Sequence, residues 1–231
     1  MWYDSYMARK DQLVNGEVYH VINRSIAGYK IFNNDLEFSR FIDTFRFYQH
    51  NDLPYSISRL YKLPIRDRSK TLEEIVTDQN TKMVEIIAFA IMPTHIHFIL
   101  KQMIDAGISK FMANISNSYA KYFNLTHKRS GHLWQNKFKN IRVGSDEQLM
   151  HLTRYIHLNP TSAGIVKKPQ DWLYSSYREY LGKVKGNNRI CQFDELFNIS
   201  PKDYRKFVND RKEYQKELSK IKALLLDDYT G

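Results

Sequence analysis

Apolar and polar residues alternate along this chain in an order that predicts its elements one after another. Glu17-Val18-Tyr19-His20-Val21-Ile22-Asn23 is rich in β-branched and aromatic residues and reads as a strand. The polar cluster Asn33-Asn34-Asp35 then opens a helix with Phe38, Phe41, Ile42 and Phe45 on one side. Residues 63–82 are polar and weakly periodic and read as an insertion. Two apolar runs, Met83 to Ile91 and His95 to Leu100, flank Met92-Pro93-Thr94 and predict a hairpin of buried strands. Ile108, Phe111, Met112, Ile115, Tyr119 and Tyr122 share one side of the next helix. Gly131 to Val143 supplies extended chain, best at His132-Leu133-Trp134 and Ile141-Arg142-Val143.

The resulting order, β-α-β-β-α-β, predicts an α+β, ferredoxin-like antiparallel sheet with both helices on one face and the other face open to a ligand. A further helix starts at Ser145, which forms a capping-box pair with Gln148, and Pro160 predicts its end near Asn159. Beyond Gly182 the composition shifts to Lys, Gly and Asn, a linker signature. Phe207, Tyr214, Leu218, Ile221 and Leu225 then repeat at helical spacing. The expected organisation is one domain over residues 1–182, with the polar insertion inside it, and a linker with a C-terminal helical extension over 183–231.

Composition adds a partner to this outline. The 231 residues are 42% hydrophobic and carry a net charge of +10, which favours a polyanion, either nucleic acid or an acidic membrane surface. No apolar run approaches the ~18 residues of a membrane span, and the start lacks the apolar core of a secretion signal. The expectation is a cytoplasmic, nucleoid-associated protein. A single cysteine, Cys191, excludes an internal disulfide and a multi-cysteine metal site. Charge is also unevenly spread. Residues 106–145 contain no Asp or Glu, but they hold Lys110, Lys121, Lys128, Arg129, Lys137, Lys139 and Arg142 among Tyr119, Tyr122, Phe123, Trp134 and Phe138. Cations neutralise phosphates and exposed rings stack on unpaired bases, so this stretch is the candidate nucleic-acid surface. A solvated basic face with many of the rings in the core is the plainer alternative.

Two spacings suggest chemistry. Strand alternation turns His95 and His97 to one face and Ile96, Phe98 and Leu100 to the other. Two convergent imidazoles can hold a divalent ion if a third ligand joins them; taken alone, the pair reads more readily as two polar residues bonded to neighbours. Tyr155 and Asn159 stand four apart and share a helical face, beside Leu149, Leu152 and Ile156. With 16 tyrosines in the chain, spacing does not single this one out.

The order of the motifs does. Tyr19-His20-Val21, Met92-Pro93-Thr94-His95-Ile96-His97, Tyr122-Phe123-Asn124, Gly131-His132-Leu133-Trp134-Gln135, Phe138-Lys139, Arg154-Tyr155-Ile156-His157-Leu158-Asn159-Pro160 and Ala163-Gly164-Ile165-Val166 follow one another. Over about Gly16 to Gly182 this resembles the REP-associated tyrosine transposases, relatives of the single-tyrosine insertion-sequence transposases in the HUH endonuclease superfamily. The resemblance implies a metal pair at His95 and His97, a third ligand at Asn159 where the wider class commonly has Gln, a nucleophile at Tyr155, and Mg²⁺ or Mn²⁺ as the cofactor. It implies cleavage and rejoining of single-stranded or hairpin DNA through a covalent 5′-phosphotyrosine. An unperturbed phenol has a pKa of ~10, and its full deprotonation at neutral pH costs roughly 4 kcal/mol, so electrostatic help at the phosphate is required. Lys121, Lys128, Arg129, Trp134, Lys137, Phe138, Lys139 and Arg142 are the expected DNA contacts. Two other readings stand beside this one: a domesticated protein that grips hairpin or single-stranded DNA without cutting, and an RNA-binding ferredoxin-like domain, for which two histidines on the sheet make a poor stacking platform. The C-terminal helix has two readings as well, a homodimer contact or a grip on duplex DNA.

Overall fold

A computed structural model describes residues 11–78, 81–135 and 137–210. Strands β1 (Val18–Arg24), β2 (Val84–Met92), β3 (His95–Gln102) and β4 (Lys139–Arg142) form one antiparallel sheet in the order β2-β3-β1-β4. That order is the ferredoxin-like one the motif order predicts. Helix α1 (Asp35–Tyr48) starts at Asn34, whose side chain accepts a hydrogen bond from the Glu37 backbone. With α4 (Gly107–Thr126) it covers one sheet face, where Phe38, Phe41 and Phe45 meet Phe98, Phe111, Ile115 and Tyr119. Gly107 permits this closeness: a Cβ there would lie 2.3 Å from the Met83 carbonyl oxygen. A short helix α2 (Ile57–Leu60) precedes the polar insertion, and the insertion itself forms α3 (Ile65–Thr77). They bury Ile57, Leu60 and Leu72 with Phe47 in a satellite cluster.

The second sheet face is not open along its length, contrary to the expectation from motif order. Helix α5 (Asp146–Ser162) lays Leu149, Leu152 and Ile156 over Ala88, Ala90 and Ile99 of β2 and β3. The reason is the hydrophobic effect: those strand residues form an apolar patch on the face away from α1 and α4, and water would otherwise meet it. Short α6 (Tyr177–Tyr180) and α7 (Pro201–Asn209) complete this layer with Tyr177, Tyr180, Tyr204 and Val208. The connecting chain protects the β2 edge, since Ile91 N–H donates to the Tyr174 carbonyl (2.9 Å) and Ser176 N–H to that of Phe89 (3.0 Å). Residues that read as linker are packed as well: Cys191 is buried in the first core and Phe197 in this one, and Gln192 N–H donates to the Ile86 carbonyl. Tyr214, Leu218, Ile221 and Leu225 lie outside the described residues.

Helix α5 also runs further than Pro160 predicts. Proline has no amide to donate to the Ile156 carbonyl, so one intrahelical bond is forgone. The final turn still closes through Ala163 N–H to the Asn159 carbonyl (2.9 Å) and Ile165 N–H to the Pro160 carbonyl (2.9 Å). No helix among the described residues is long and apolar enough to cross a membrane.

Candidate active site

The β2–β3 hairpin delivers the histidines. Its turn is held by the loop after β1: Ile31 N–H donates to the Pro93 carbonyl (2.8 Å) and Ser25 N–H to that of Thr94 (2.8 Å). With Met92 paired to His95, alternation sends His95 and His97 to the face that α5 covers. Their ring centroids are 4.9 Å apart. His97 is fully buried and His95 half-buried, so the imidazoles sit under and beside α5 rather than on an open surface.

Docking of α5 brings in the other two residues. Tyr155 sets its ring edge-on to His97, with centroids 5.9 Å apart, and one turn later the Asn159 amide nitrogen lies 2.9 Å from His97 Nε2. The four residues singled out by motif, His95, His97, Tyr155 and Asn159, therefore form one cluster.

Burial, with the neighbouring Arg24 guanidinium adding to it, pushes His95 down to about 4. Burial also holds His97 well below the ordinary histidine range, helped by His95, His20 and Arg24. Both imidazoles are therefore neutral at physiological pH, the form that ligates a metal. On each ring Nδ1 is already engaged: that of His95 with Thr94 Oγ1 (2.9 Å), that of His97 with His20 Nε2 (3.1 Å). This leaves Nε2 of His95 for a cation, while Nε2 of His97 meets the Asn159 amide nitrogen, and that amide would turn its oxygen toward a bound ion. Among the described residues no three His, Cys, Asp or Glu side chains converge on a metal position, so a cation held here would need the Asn159 amide as a further ligand.

Sequence reasoning missed three of these neighbours. Arg24 pairs with His95 across β1 and β3, on the histidine face. His20 lies diagonally across the strands from His97, and Thr94 precedes His95. His20 stands within a quoted motif, but only the strand register places it under the site.

The expected DNA contacts divide. Residues 133–135 run beside the end of β1, tied by Gln135 N–H to the Arg24 carbonyl (2.7 Å) and Ile26 N–H to the Leu133 carbonyl (3.0 Å). Lys139 pairs with Ile22, which pairs with His97, so Lys139 shares the histidine face. Lys121, Lys128 and Lys137 are exposed, and Arg129 is half-buried over the rings of Tyr29 and Phe123. Phe138 is half-buried against the core. Arg142 is exposed but pairs with Tyr19 on the opposite sheet face and is held by Glu17 (2.6 Å). Trp134 corrects the expectation outright. Its ring is 8% exposed among Phe32, Phe41 and Tyr119, and its Nε1–H donates to the Ser116 carbonyl (3.0 Å). A side chain this large gains more from the aromatic core than from solvent, so no base can stack on it. Trp134→Ala is expected to cost about 3–5 kcal/mol of stability in denaturant melts, while hairpin-DNA affinity of the folded protein stays unchanged. A selective loss of affinity at wild-type stability would reverse this assignment.

The sequence matches the family model "Transposase IS200 like" over residues 59–159, a stretch that takes in His95, His97, Tyr155 and Asn159. A putative REP-associated tyrosine transposase of Haemophilus influenzae is 27% identical over 109 residues, covering 40% of this chain. The chain spans 58% of the length of that curated relative. Among solved structures, a REP-associated tyrosine transposase bound to a REP hairpin superposes with a TM-score of 0.52 at 15% identity, covering 84% of this chain and 95% of that one. At this identity the likeness concerns the fold.

Proposed function

We propose that this chain, which is similar to the proteins gathered under the IS200-like transposase model, cleaves and rejoins single-stranded or hairpin DNA, with Tyr155 as nucleophile. The observation that carries this reading is the meeting of Tyr155 and Asn159 with His97, from elements separated by more than fifty residues. The relative bound to a REP hairpin supports hairpin DNA as the substrate class.

In this reading Tyr155 Oη gives up its proton to solvent and bonds to a backbone phosphorus as the bond from that phosphorus to the 3′ oxygen breaks. The strand end leaves as a 3′ hydroxyl after taking up a proton, and the 5′ phosphate stays on the tyrosine. One ester replaces another, so a second 3′ hydroxyl can reverse the step without ATP. His95, His97 and Asn159 would hold Mg²⁺ or Mn²⁺, which when bound supplies charge stabilisation at the scissile phosphate. Imidazole ligands favour Mn²⁺ or a later metal over Mg²⁺. Burial keeps His97 from protonating, and the hairpin turn at Pro93 and Thr94 fixes where His95 points. Arg24 and Lys139 share the histidine face of the sheet and would add positive charge for the DNA backbone.

The test is incubation of end-labelled single-stranded hairpins with the protein and Mn²⁺ or Mg²⁺, followed by denaturing electrophoresis. A protein–DNA adduct that resists denaturation is expected. Tight binding with no adduct, across a broad hairpin panel and both metals, would instead establish a non-cleaving DNA-binding protein.

A further inference from the structure

His20 lies on β1, is 1% exposed, and takes no part in the chemistry above. Its Nε2 is 3.1 Å from His97 Nδ1, and the two ring planes differ by 5°. The centroid separation of 5.4 Å is what that distance plus a ring radius at each end gives, so the rings meet edge to edge in one plane rather than face to face. An imidazole N–H lies in its ring plane and points away from the centroid, which makes this the geometry of a linear N–H···N hydrogen bond.

The direction of that bond follows from the other end of His97. Nε2 can meet a cation only through a lone pair, and the Asn159 amide nitrogen, a donor 2.9 Å away, faces Nε2 in the way that lone pair requires. A neutral His97 then has its proton on Nδ1 and donates it to His20 Nε2. His20 in turn carries its proton on Nδ1, a buried atom with no hydrogen-bond partner among the described residues. The reverse wiring, with His20 donating, would put the His97 proton on Nε2 and block the atom that faces Asn159.

We propose that His20 is a positioning residue that fixes the tautomer of His97, accepting its Nδ1 proton so that the Nε2 lone pair stays available to a divalent cation. This rests on the metal reading of His95, His97 and Asn159. Ligating histidines generally depend on such an acceptor behind them; the usual one is a carboxylate or carbonyl, and here a second, buried imidazole on the neighbouring strand takes that place. The unpartnered Nδ1 of His20 is the cost of the arrangement, and it marks His20 as more than a core filler, since an apolar residue would fill the space without it.

The experiment measures Mn²⁺ binding to the DNA-free protein by calorimetry for wild type, His20→Leu and His20→Gln, alongside nitrogen NMR of the histidine rings in the metal-free wild type. The Leu variant removes the acceptor at similar volume and is expected to bind Mn²⁺ about tenfold to a hundredfold more weakly. The Gln variant returns an oxygen acceptor near the lost Nε2 and is expected to recover most of that loss. The NMR spectrum is expected to show the His97 proton on Nδ1, a readout that does not depend on how well either variant folds. Equal Mn²⁺ affinity in folded His20→Leu and wild type, or the His97 proton on Nε2, would overturn the role of His20 while leaving the metal site standing. A wild type that binds no Mn²⁺ would remove the metal reading itself, and this inference with it.

Discussion

Tyr155→Phe is expected to lower formation of the denaturation-resistant DNA adduct by at least about a thousandfold, because the ring oxygen is the atom that bonds to phosphorus. The substitution deletes that oxygen and leaves the ring. The contacts of that ring with His97 and His20 at 5.9 and 6.5 Å involve its carbon framework. Docking of α5 rests on Leu149, Leu152 and Ile156, which are untouched. Stability should therefore stay within about 1 kcal/mol of wild type, and hairpin affinity should persist. The contrast between lost chemistry and kept binding identifies a nucleophile. Adduct yield in the variant at a tenth of wild type or more would assign the attack to a different side chain.

The second large effect is on stability in acid, and it concerns the helix that presents Tyr155. His157 is fully buried two residues along α5, and burial pushes it down to about 3. Its Nδ1 meets Tyr204 Oη of α7 (2.7 Å) and its Nε2 meets Ser176 Oγ (2.8 Å). Tyr204 donates onward to Thr153 Oγ1 (2.9 Å), and Ser176 Oγ accepts from Phe89 N–H of β2 (2.9 Å). A neutral imidazole thus joins α5 to α7 and, through Ser176, to the sheet.

Between pH 6.5, where the unfolded chain takes up a proton, and about 3, where the folded one does, the unfolded state binds more protons. The contribution of His157 is consequently complete above pH 6.5 and falls as the solution is acidified, by up to about 1.4 kcal/mol per pH unit. His20, His50 and His95, each pushed down to about 4 mainly by burial, act in the same direction. A His157→Gln variant isolates one proton. It should be less stable than wild type at pH 7, and the gap should narrow by about 1.4 kcal/mol per unit as the pH falls from 6 to 4. Denaturant melts across that range measure it, and a gap that stays constant would show that His157 does not titrate on unfolding.

Much of the site was already written in local periodicity. Alternation along β3 puts His95 and His97 on one face, and the 3.6-residue helical repeat puts Tyr155 and Asn159 on one side of α5, whatever surrounds them. These relations follow from backbone geometry, so a sequence carries them without its fold, and the order of the strand and helix patterns carried the sheet topology with them.

Relations between elements distant in sequence were not legible in this way. The hydrogen-bonded partnership of His20 with His97 depends on the register of β1 against β3, across 77 residues. Covering of the second sheet face depends on where α5, α6 and α7 come to rest, because an apolar patch shows only that something must bury it. The competition between core and solvent was decided the same way. Trp134 and Phe138 look alike as aromatic neighbours of lysines, yet Trp134 fills the space between α1 and α4 while Phe138 lies at the margin of that core. Arg142 reads as a free cation until strand pairing sets it beside Glu17. Sequence alone determined which side chains share a face of one element; which faces meet, and so which imidazole stands behind the candidate ligand, came from long-range packing that no local pattern encodes.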